Sequence, residues 1–528
     1  MTGVPDHPLL AGLDAAQRAA VTSTAAPLAI IAAAGSGKTT VLTRRIAYRI
    51  TEDTAAARHV LALTFTRDAA GELKRRLRRL DLREAIEAGT FHSVALRLLR
   101  DRTTAANQRP PKVAEDRVRL VREVLTELKL PLEPMGVLTD LDWASARLIH
   151  ASEYERAVRS VRRRSAIPPA RFADVITAYE QLKRRRGVVD FDDLLHGVVY
   201  ALETDEAWAA AVRWRFRHVF VDEAQDMNPL QHRLLEALRG GRADLCLVGD
   251  PRQAIYGWNG ADPSFLAEVE HRYPGVTVIR LEQNFRCSPQ VVRAGAAALT
   301  AAGLEDSTRS ARPDGPSVVV HSFADEQAEA LEVARQVKAE MNHRPGADLA
   351  VLARTNEQVS LLDRVLARHG VPTERAAGRS PLEACLREAH RAGSREALAA
   401  WVETQFAQGD DLARRVAAEA DRYLTSGEPG GFRAWIDART PFDDLEVADR
   451  REAVALLTFH AAKGREWWGV FVTGAEDGLV PHSSAAGPAQ MAEEARLFYV
   501  ALTRASQRLV ISSAASRGGR PAVPSRWL

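Results

Sequence analysis

A glycine-rich stretch between an apolar run and a helical pattern constrains this chain more than any other feature. The residues IIAAAGSGKTT lead into the amphipathic pattern TTVLTRRIAYRI. Glycines let backbone N–H groups point at phosphate oxygens, and a helix N-terminus adds favourable partial charge. Lys38 would then reach the β- and γ-phosphates of a nucleotide and Thr39 would bind Mg²⁺, whereas a chance Gly/Ser turn would not explain the strand before and the helix after. The predicted phosphate-binding residues are Ala34, Gly35, Ser36, Gly37, Lys38, Thr39 and Thr40.

A second apolar run ends in the acidic sequence VFVDEAQD. An acid at the end of a buried strand is costly unless it faces a cation, so Asp222 is predicted to hold Mg²⁺ through water. Glu223 is a candidate general base or orienting group for the attacking water. In the alternative interpretation Asp222 only caps the next helix. The phosphate loop in the same chain favours the cation site.

Apolar runs alternate with helical patterns in two regions, which predicts an α/β fold with parallel sheets flanked by helices. A chain of 528 residues is long enough for several domains. Two stretches with helical patterns alone interrupt the alternation. The predicted organisation is a first α/β domain at 1–103 and 190–275, a helical insertion at 104–189, a second α/β domain at 276–378 and 452–528, and a second, reduced helical insertion at 379–451.

Phosphoryl transfer needs positive charge on the far side of the γ-phosphate. The second α/β region lacks a phosphate loop, but it contains Arg286 in LEQNFRCSP and Arg504 in ARLFYVALTRA. A nucleotide held by both predicted domains, with the second donating these arginines, would make hydrolysis depend on domain closure. The pattern therefore favours a motor.

Composition excludes several other classes of protein. No apolar run reaches the length of a transmembrane helix, the N-terminus lacks a signal-peptide pattern, and the three cysteines lie far apart. We therefore expect a cytoplasmic, nucleoid-associated protein without a membrane partner. The net charge of +3 does not identify a partner. Basic clusters at 73–80, 159–164 and 181–187 fit either solvated helix faces or a surface for a polyanion.

Ordered segments over nearly the whole chain resemble the motifs of superfamily 1 DNA helicases of the UvrD/Rep/PcrA type. Besides the phosphate loop and VFVDEAQD, they are LDAAQRAAV (13–21), TFTRDAAGELKRRL (64–77), GTFHSVALRLL (89–99), DFDDLL (190–195), LVGDPRQAIYGWNGADP (247–263), LEQNFRCSP (281–289), LLTFHAAKGREWWGVFV (456–472) and EEARLFYVALTRA (493–505). The resemblance implies two RecA-like P-loop NTPase motor domains. It also implies ATP and Mg²⁺ as cofactors, and single-stranded DNA and single/double-strand junctions as partners.

The same resemblance assigns roles at the nucleotide. Gln17 would read adenine and Phe285 would cover the base. Gly464 and Glu466 are expected near the γ-phosphate and the ribose, and Gln253 would sense the γ-phosphate or the attacking water. Arg286 and Arg504 would act as arginine fingers. The implied catalytic residues are then Lys38, Asp222, Glu223, Gln253, Arg286 and Arg504.

For DNA, the resemblance implies that Phe65, Tyr256 and Trp258 stack on or separate bases, with His92 and His460 near the backbone. Stacking is worth roughly 1–3 kcal/mol per base and tolerates any sequence, which suits a translocating protein. Core packing is the alternative for a lone aromatic residue. A polar turn before the tryptophan and Asn-Gly after it favour the surface.

Several positions depart from the family pattern. Thr40 stands where an arginine near adenine is usual, and Arg67 replaces an asparagine and would add a phosphate contact. Asn259 follows the tryptophan where an arginine is common, which removes one charge from the strand path. The second insertion is shorter than its family counterpart, and GEPGGF at 427–432 is a weak candidate for the duplex-contacting glycine motif.

The resemblance implies an ATP-dependent single-stranded DNA translocase and 3′-to-5′ helicase in repair, recombination or replication restart. The reduced second insertion leaves an alternative open, in which the chain strips proteins from DNA or unwinds only with a protein partner or a second copy. A non-catalytic DNA-binding scaffold is disfavoured because it has no need for the catalytic set.

Overall fold

Two parallel β-sheets organise the chain, each in its own compact unit. The computed structural model describes residues 7–80, 86–114, 116–374, 381–426, 431–432, 435–436 and 453–528. The first unit comprises the chain up to Asp314 with His482–Thr503 and Trp527, and the second comprises Gly315–Pro481, Arg504–Arg526 and Leu528.

Six parallel strands of the described chain form the sheet of the first unit, in the order β3-β2-β4-β5-β1-β6. They are β1 (Leu28–Ala32), β2 (Val60–Thr64), β3 (Glu87–Thr90), β4 (His218–Val221), β5 (Leu245–Gly249) and β6 (Thr277–Leu281). Every residue of β1, β2 and β5 is buried, as expected for parallel strands covered on both faces. The predicted α/β fold class is confirmed.

Successive residues of these strands point to opposite faces. Ala29 and Ile31 therefore join one apolar cluster, and Leu28 and Ile30 join another. The helices of the first unit are α1 (Ala15–Thr22), α2 (Lys38–Thr51), α3 (Arg67–Arg79), α4 (Phe91–Ala105), α5 (Arg117–Glu127), α6 (Pro134–Ala146), α7 (Tyr154–Ser160), α8 (Phe172–Arg186), α9 (Phe191–Thr204), α10 (Glu206–Arg215), α11 (Pro229–Arg239), α12 (Ser264–Ala267), α13 (Val269–Arg272) and α14 (Pro289–Ala301).

Helices α5–α8 form a helical body with its own apolar core, within the segment predicted as the first insertion. The rings of Tyr154 and Phe172 stack at its centre with centroids 3.5 Å apart. The chain enters and leaves this body side by side, because Val113 and Val189 form a parallel bridge. The two ends of the insertion are therefore adjacent, and the insertion leaves the first α/β domain and returns to it at one place.

Buried charges attach this insertion to the start of α9. Lys183 Nζ donates to Asp190 Oδ2 at 2.9 Å and to Asp193 Oδ2 at 2.7 Å. Burial alone would lower the pKa of Lys183, but the two carboxylates raise it instead. Arg117 Nη2 adds a second positive charge 3.6 Å from Asp190 Oδ2.

The second unit contains five parallel strands among the described residues, in the order β11-β10-β12-β13-β9. They are β9 (Val319–Phe323), β10 (Leu349–Ala353), β11 (Ala455–Thr458), β12 (Trp467–Val472) and β13 (Ala505–Ala514). Two-residue strands pair as β7 (Gln283–Asn284) with β8 (Arg309–Ser310) in the first unit, and β14 (Ser516–Arg517) with β15 (Arg520–Pro521) in the second. The helices here are α15 (Glu326–His343), α16 (Asn356–Arg368), α17 (Pro381–Arg391), α18 (Arg395–Gln408) and α19 (Asp411–Ser426).

Helices α17–α19 pack around a small core of their own that includes Leu398, Val416 and Tyr423. They lie within the predicted second insertion. Most of the candidate glycine motif at 427–432 lies outside the described residues. Among the described helices of the chain, none combines the length and the apolarity that a bilayer span requires.

Two parts of the predicted second α/β domain belong to the first unit instead. Strand β6, expected after a boundary at residue 276, pairs with β1, and the first unit continues to Asp314. Helix α20 (Pro488–Leu502) also belongs to the first unit, where Gly295 of α14 lies against it so closely that a Cβ would be 3.1 Å from the Tyr499 ring. The compact units therefore divide the chain differently from the sequence pattern, because an apolar strand pattern fits the edge of either parallel sheet.

The Lys183 cluster predicts a measurable stability effect. Lys183→Ala leaves Asp190 and Asp193 without their shared cation, and we expect the free energy of unfolding to fall by about 3 kcal/mol. Arg185→Ala is the control, because Arg185 is 57% exposed and pairs at the surface with Glu127, so its loss should cost less than about 1 kcal/mol. Urea unfolding followed by circular dichroism measures both, and equal losses would contradict a structural role for the buried cluster.

Candidate functional site

The glycine-rich loop between β1 and α2 has the backbone geometry that its sequence predicts. Gly35 and Gly37 have φ angles of +67° and +80°, in the left-handed region that favours glycine. A Cβ on Gly35 would lie 2.6 Å from Asn284 Oδ1, so this position also lacks space for a side chain. Ala34 and Ser36 are buried, and α2 begins at the next residue after Gly37. The loop therefore has the left-handed glycines that its sequence predicts, and it leads directly into the N-terminus of α2.

Gln17 lies beside this loop. Its Nε2 donates to the Ser36 carbonyl at 2.9 Å, and its Oε1 accepts from the Asp14 N–H at 3.1 Å. Asp14 Oδ1 in turn accepts from the Gln17 N–H at 2.7 Å, which completes a capping box at the start of α1. The residue predicted to read adenine is thus fixed next to the phosphate loop.

The acidic pair at the end of β4 lies opposite Lys38. Lys38 Nζ is 3.5 Å from Glu223 Oε2. Burial and the adjacent Glu223 carboxylate raise the pKa of Asp222 to about 7, against the opposing effect of the Lys38 ammonium. Within the described chain, Lys38 Nζ and Ser36 Oγ are buried without a hydrogen-bond partner. A buried carboxylate of this kind and unsatisfied donors suit a magnesium ion and phosphate oxygens, so these residues fit Mg²⁺ and ATP.

Sequence reasoning missed Gln225, which connects the acidic pair to the end of β5. Its Nε2 donates to Glu223 Oε2 at 2.5 Å, and its Oε1 accepts from the Asp250 N–H at 2.9 Å. The side chain is completely buried, so both hydrogen bonds replace water that the amide has lost. The only available signal was its place in VFVDEAQD, two residues after the acidic pair.

Gln253 follows β5 in the 3₁₀ turn Pro251–Gln253 and is buried. Its Nε2 donates to Asp250 Oδ2 at 2.8 Å. Arg252 Nε donates to the other oxygen, Asp250 Oδ1, at 3.0 Å, and its guanidinium also contacts Asp306. Asp250 therefore fixes the amide of Gln253 on one side and Arg252 on the other.

Arg286 lies in the same compact unit as the phosphate loop. Its N–H donates to Asn284 Oδ1 at 2.8 Å, and the neighbouring Phe285 N–H donates to the Gly35 carbonyl at 2.9 Å. Phe285 is 39% exposed. This segment thus lies directly against the phosphate loop.

Three predicted nucleotide residues lie in the second unit. Arg504 is buried, and its Nη1 donates to the Arg465 carbonyl at 3.1 Å. Gly464 has a φ of +82° with nothing within 4 Å of an added Cβ, and Glu466 is exposed. Gly464 and Glu466 therefore lie in the turn before β12, and Arg504 contacts that turn from the segment before β13.

A second missed residue is Arg76 on α3. Its Nη1 lies 3.4 Å from Thr40 Oγ1, and its Nε donates to Glu72 Oε1 at 2.6 Å. Thr40 is the position where an arginine is usual, so a guanidinium from another helix stands next to it. The basic run at 73–80 contained this residue, but its spacing did not distinguish it from the other basic residues in that run.

The predicted strand-contacting aromatics differ in exposure. Trp258 is 49% exposed in the 3₁₀ turn Gly257–Asn259, and Asn259 is also exposed. Tyr256 is half-buried, and burial together with the charges of Asp226 and Glu223 raises its pKa to about 12. Trp258 therefore offers much more ring surface to a base than Tyr256 does.

The other predicted DNA contacts are spread over the two units. Phe65 is half-buried, with its ring 5.6 Å from that of Phe91. His92 Nε2 is 3.7 Å from Asp192 Oδ1. Arg67 begins α3, although its side chain lies outside the described part of the chain, and His460 is half-buried in the second unit.

Comparison with known proteins identifies the family of this chain. The family model described as the UvrD/REP helicase N-terminal domain matches residues 13–274, and that of the UvrD-like helicase C-terminal domain matches 279–378 and 441–516. The ATP-dependent DNA helicase UvrD2 of Mycobacterium tuberculosis is 35% identical over 587 residues, covering 99% of this chain and 82% of the relative. The ATP-dependent DNA helicase PcrA of Staphylococcus aureus is 28% identical over 641 residues, covering 98% and 86%. The predicted resemblance is confirmed, and the chain belongs to the UvrD-like helicase family.

Proposed function

We propose that the chain is an ATP-hydrolysing motor that moves along single-stranded DNA and unwinds duplexes from 3′ tails. The observation that carries this proposal is the ion pair of Lys38 with Glu223 and its continuation by hydrogen bonds through Gln225 to Asp250. The loop that begins at Asp250 continues to the exposed Trp258. A protein that only binds DNA has no use for such a connection between a phosphate loop and an exposed aromatic residue.

The chain's own groups divide the work of hydrolysis. Lys38 and the loop N–H groups bind the phosphates, and Glu223 orients or deprotonates the attacking water. Mg²⁺, held by Thr39 and by Asp222 through water, would neutralise charge on the phosphate oxygens. Gln253 responds to the γ-phosphate from its position on Asp250. We assign adenine recognition to Gln17 and Phe285.

Further roles follow from the family resemblance. We assign transition-state charge stabilisation to Arg286 and Arg504, and contacts to the γ-phosphate and ribose to Gly464 and Glu466. On the strand, Trp258 stacks on bases, and the remaining strand contacts come from Phe65, Arg67, His92, Tyr256, Asn259 and His460. Single/double-strand junctions would be the substrate, and the nucleoid the place of action, in repair, recombination or replication restart.

A second candidate function is a translocase that strips proteins from DNA and unwinds only with a protein partner or a second copy. The observation that favours it is the small size of the second insertion, whose described helices α17–α19 have only a compact core of their own. The two candidates share the ATPase site and differ in strand separation.

One set of assays tests the proposal. ATP hydrolysis is measured with and without single-stranded DNA, followed by unwinding of duplexes with 3′ or 5′ tails. Glu223→Gln keeps the size of the side chain and removes its basicity, so we expect at least about a hundredfold loss of kcat with ATP binding retained. Hydrolysis that DNA does not stimulate in the wild type would refute both candidates. DNA-stimulated hydrolysis without strand separation would select the second, and unwinding from 5′ tails would refute the polarity.

The phosphate loop allows a test with a matched control. Gly35 and Gly12 have nearly equal φ angles of +67° and +71°, but only Gly35 has atoms within 4 Å of an added Cβ. Either alanine variant incurs left-handed strain of roughly 1–2 kcal/mol. Gly35→Ala must also displace Asn284 and Arg286, so we expect affinity for a fluorescent ATP analogue to fall at least about tenfold. Equal affinities in the two variants would show that the close packing of this loop is irrelevant to nucleotide binding.

The loop after β5 should separate into two functions. Gln253→Ala removes a group beside the nucleotide, and we expect hydrolysis to fall about a hundredfold with little change in DNA affinity. Trp258→Ala removes a stacking surface, so affinity for single-stranded DNA should fall about tenfold. Fluorescence anisotropy with labelled oligonucleotides and steady-state hydrolysis measure the two quantities. Loss of hydrolysis alone in both variants would refute this division.

A further inference from the structure

The peptide of Trp258 is held at both ends, although its ring is exposed. Arg163 Nη1, from the helical insertion, donates to the Trp258 carbonyl at 2.9 Å. On the other side, the Trp258 N–H lies 3.4 Å from Glu493 Oε1 of α20. A Cβ on the preceding Gly257 would overlap Glu493 Oε2, so the backbone approaches this carboxylate as closely as glycine allows. The turn therefore lies between two side chains from distant parts of the sequence.

Arg163 is itself held in place by the insertion. Its Nε donates to Asp140 Oδ1 at 3.3 Å, and its guanidinium lies over the Trp143 ring at 4.8 Å. Asp140 is buried and accepts three more hydrogen bonds, from Ser165 Oγ at 2.8 Å and from the N–H groups of Ala166 and Ile167 at 2.6 and 3.0 Å. A side chain with this many hydrogen-bond partners has a fixed position, so it fixes the guanidinium too.

Packing between the insertion and the loop extends beyond this one hydrogen bond. Gly260, which ends the turn with a φ of +94°, leaves room for α6, because a Cβ there would lie 2.9 Å from Ala146 Cβ. Arg147 Nη2 is 3.9 Å from Asp262 Oδ2. The end of α6 and the loop after Trp258 are thus in close contact within the first unit.

We propose that Arg163 is a positioning residue that holds the Trp258 turn in the conformation that binds single-stranded DNA. The proposal rests on the proposed function, in which Trp258 stacks on bases. A turn that is ordered before the strand arrives loses less conformational entropy on binding, and so binds more tightly. The helical insertion then contributes to strand affinity through the backbone of the motor's own loop.

A direct contact between Arg163 and DNA phosphates is the competing explanation. The side chain of Arg163 is only 14% exposed, and it donates hydrogen bonds to Asp140 Oδ1 and to the Trp258 carbonyl. A phosphate-binding arginine presents its guanidinium to solvent instead. The basic run at 159–164 therefore includes one residue, Arg163, whose guanidinium binds groups of the protein itself.

The test compares the affinities of five variants for a fluorescent oligothymidylate by anisotropy. They are Arg163→Ala, Arg163→Lys, Trp258→Ala, the double variant Arg163→Ala/Trp258→Ala, and the control Arg156→Ala. Arg156 is the matched control because it lies on α7 of the same insertion, is 81% exposed and pairs only at the surface with Glu153. Circular dichroism and the midpoint of thermal unfolding verify that each variant is folded.

We expect Arg163→Ala to weaken DNA binding about five- to tenfold, as loss of a charge-assisted hydrogen bond implies, and Arg156→Ala to bind like the wild type. The double variant should bind no more weakly than Trp258→Ala, because Arg163 acts through Trp258. Additive losses would overturn the proposal in favour of a direct phosphate contact, and wild-type affinity in Arg163→Ala would overturn it outright.

Two further outcomes keep the test decisive. If Arg163→Ala does not fold, Arg163→Lys decides, because an ammonium keeps a cation beside Asp140 but cannot reproduce the planar reach to the Trp258 carbonyl; wild-type affinity there would overturn the proposal. If Trp258→Ala binds DNA as the wild type does, the proposed role of Trp258 fails first. That result differs from one in which Trp258→Ala is weakened and Arg163→Ala is not.

Discussion

One buried amide, that of Gln225, connects the acidic pair after β4 with the loop after β5. It donates to Glu223 and accepts from the backbone of Asp250, so the end of β4 and the end of β5 share one hydrogen-bonded group. Gly249 must lack a side chain because a Cβ would overlap Gln225 Oε1. Neither strand end can move without breaking a buried hydrogen bond, which costs more than an exposed one. Glu223 and the loop that begins at Asp250 therefore share one buried hydrogen-bonding partner.

The sequence predicted the parts of the site whose geometry is local. The glycine loop before α2 and the acidic pair after β4 depend on a few consecutive residues, and their patterns determine a turn and a strand end directly. Gln225 and Arg76 were missed because their roles depend on partners far along the chain. The half-burial of Tyr256 was missed for the same reason, since it depends on what packs against the ring.

The domain boundaries show the same limit at a larger scale. The patterns predicted the α/β class, since buried parallel strands are apolar throughout. They did not predict that β6 would pair with β1, or that α20 would pack on α14 in the first unit. Both elements have ordinary apolar patterns that suit either sheet, and pairing is decided by contacts between segments more than 200 residues apart, as between Cys287 Sγ and the Thr503 carbonyl.

The Trp258 turn carries Asn259 where an arginine is common in the family. Arg163 does not replace that charge, because its guanidinium donates hydrogen bonds to Asp140 and to the Trp258 carbonyl. The contribution that we propose for the insertion is order in the turn rather than attraction for phosphates. Stacking depends little on salt, whereas each phosphate contact releases counterions and weakens as salt rises. A motor with this loop would hold its strand at Trp258 by a rigid aromatic surface more than by charge, and its grip at that point would persist at ionic strengths that weaken phosphate contacts elsewhere.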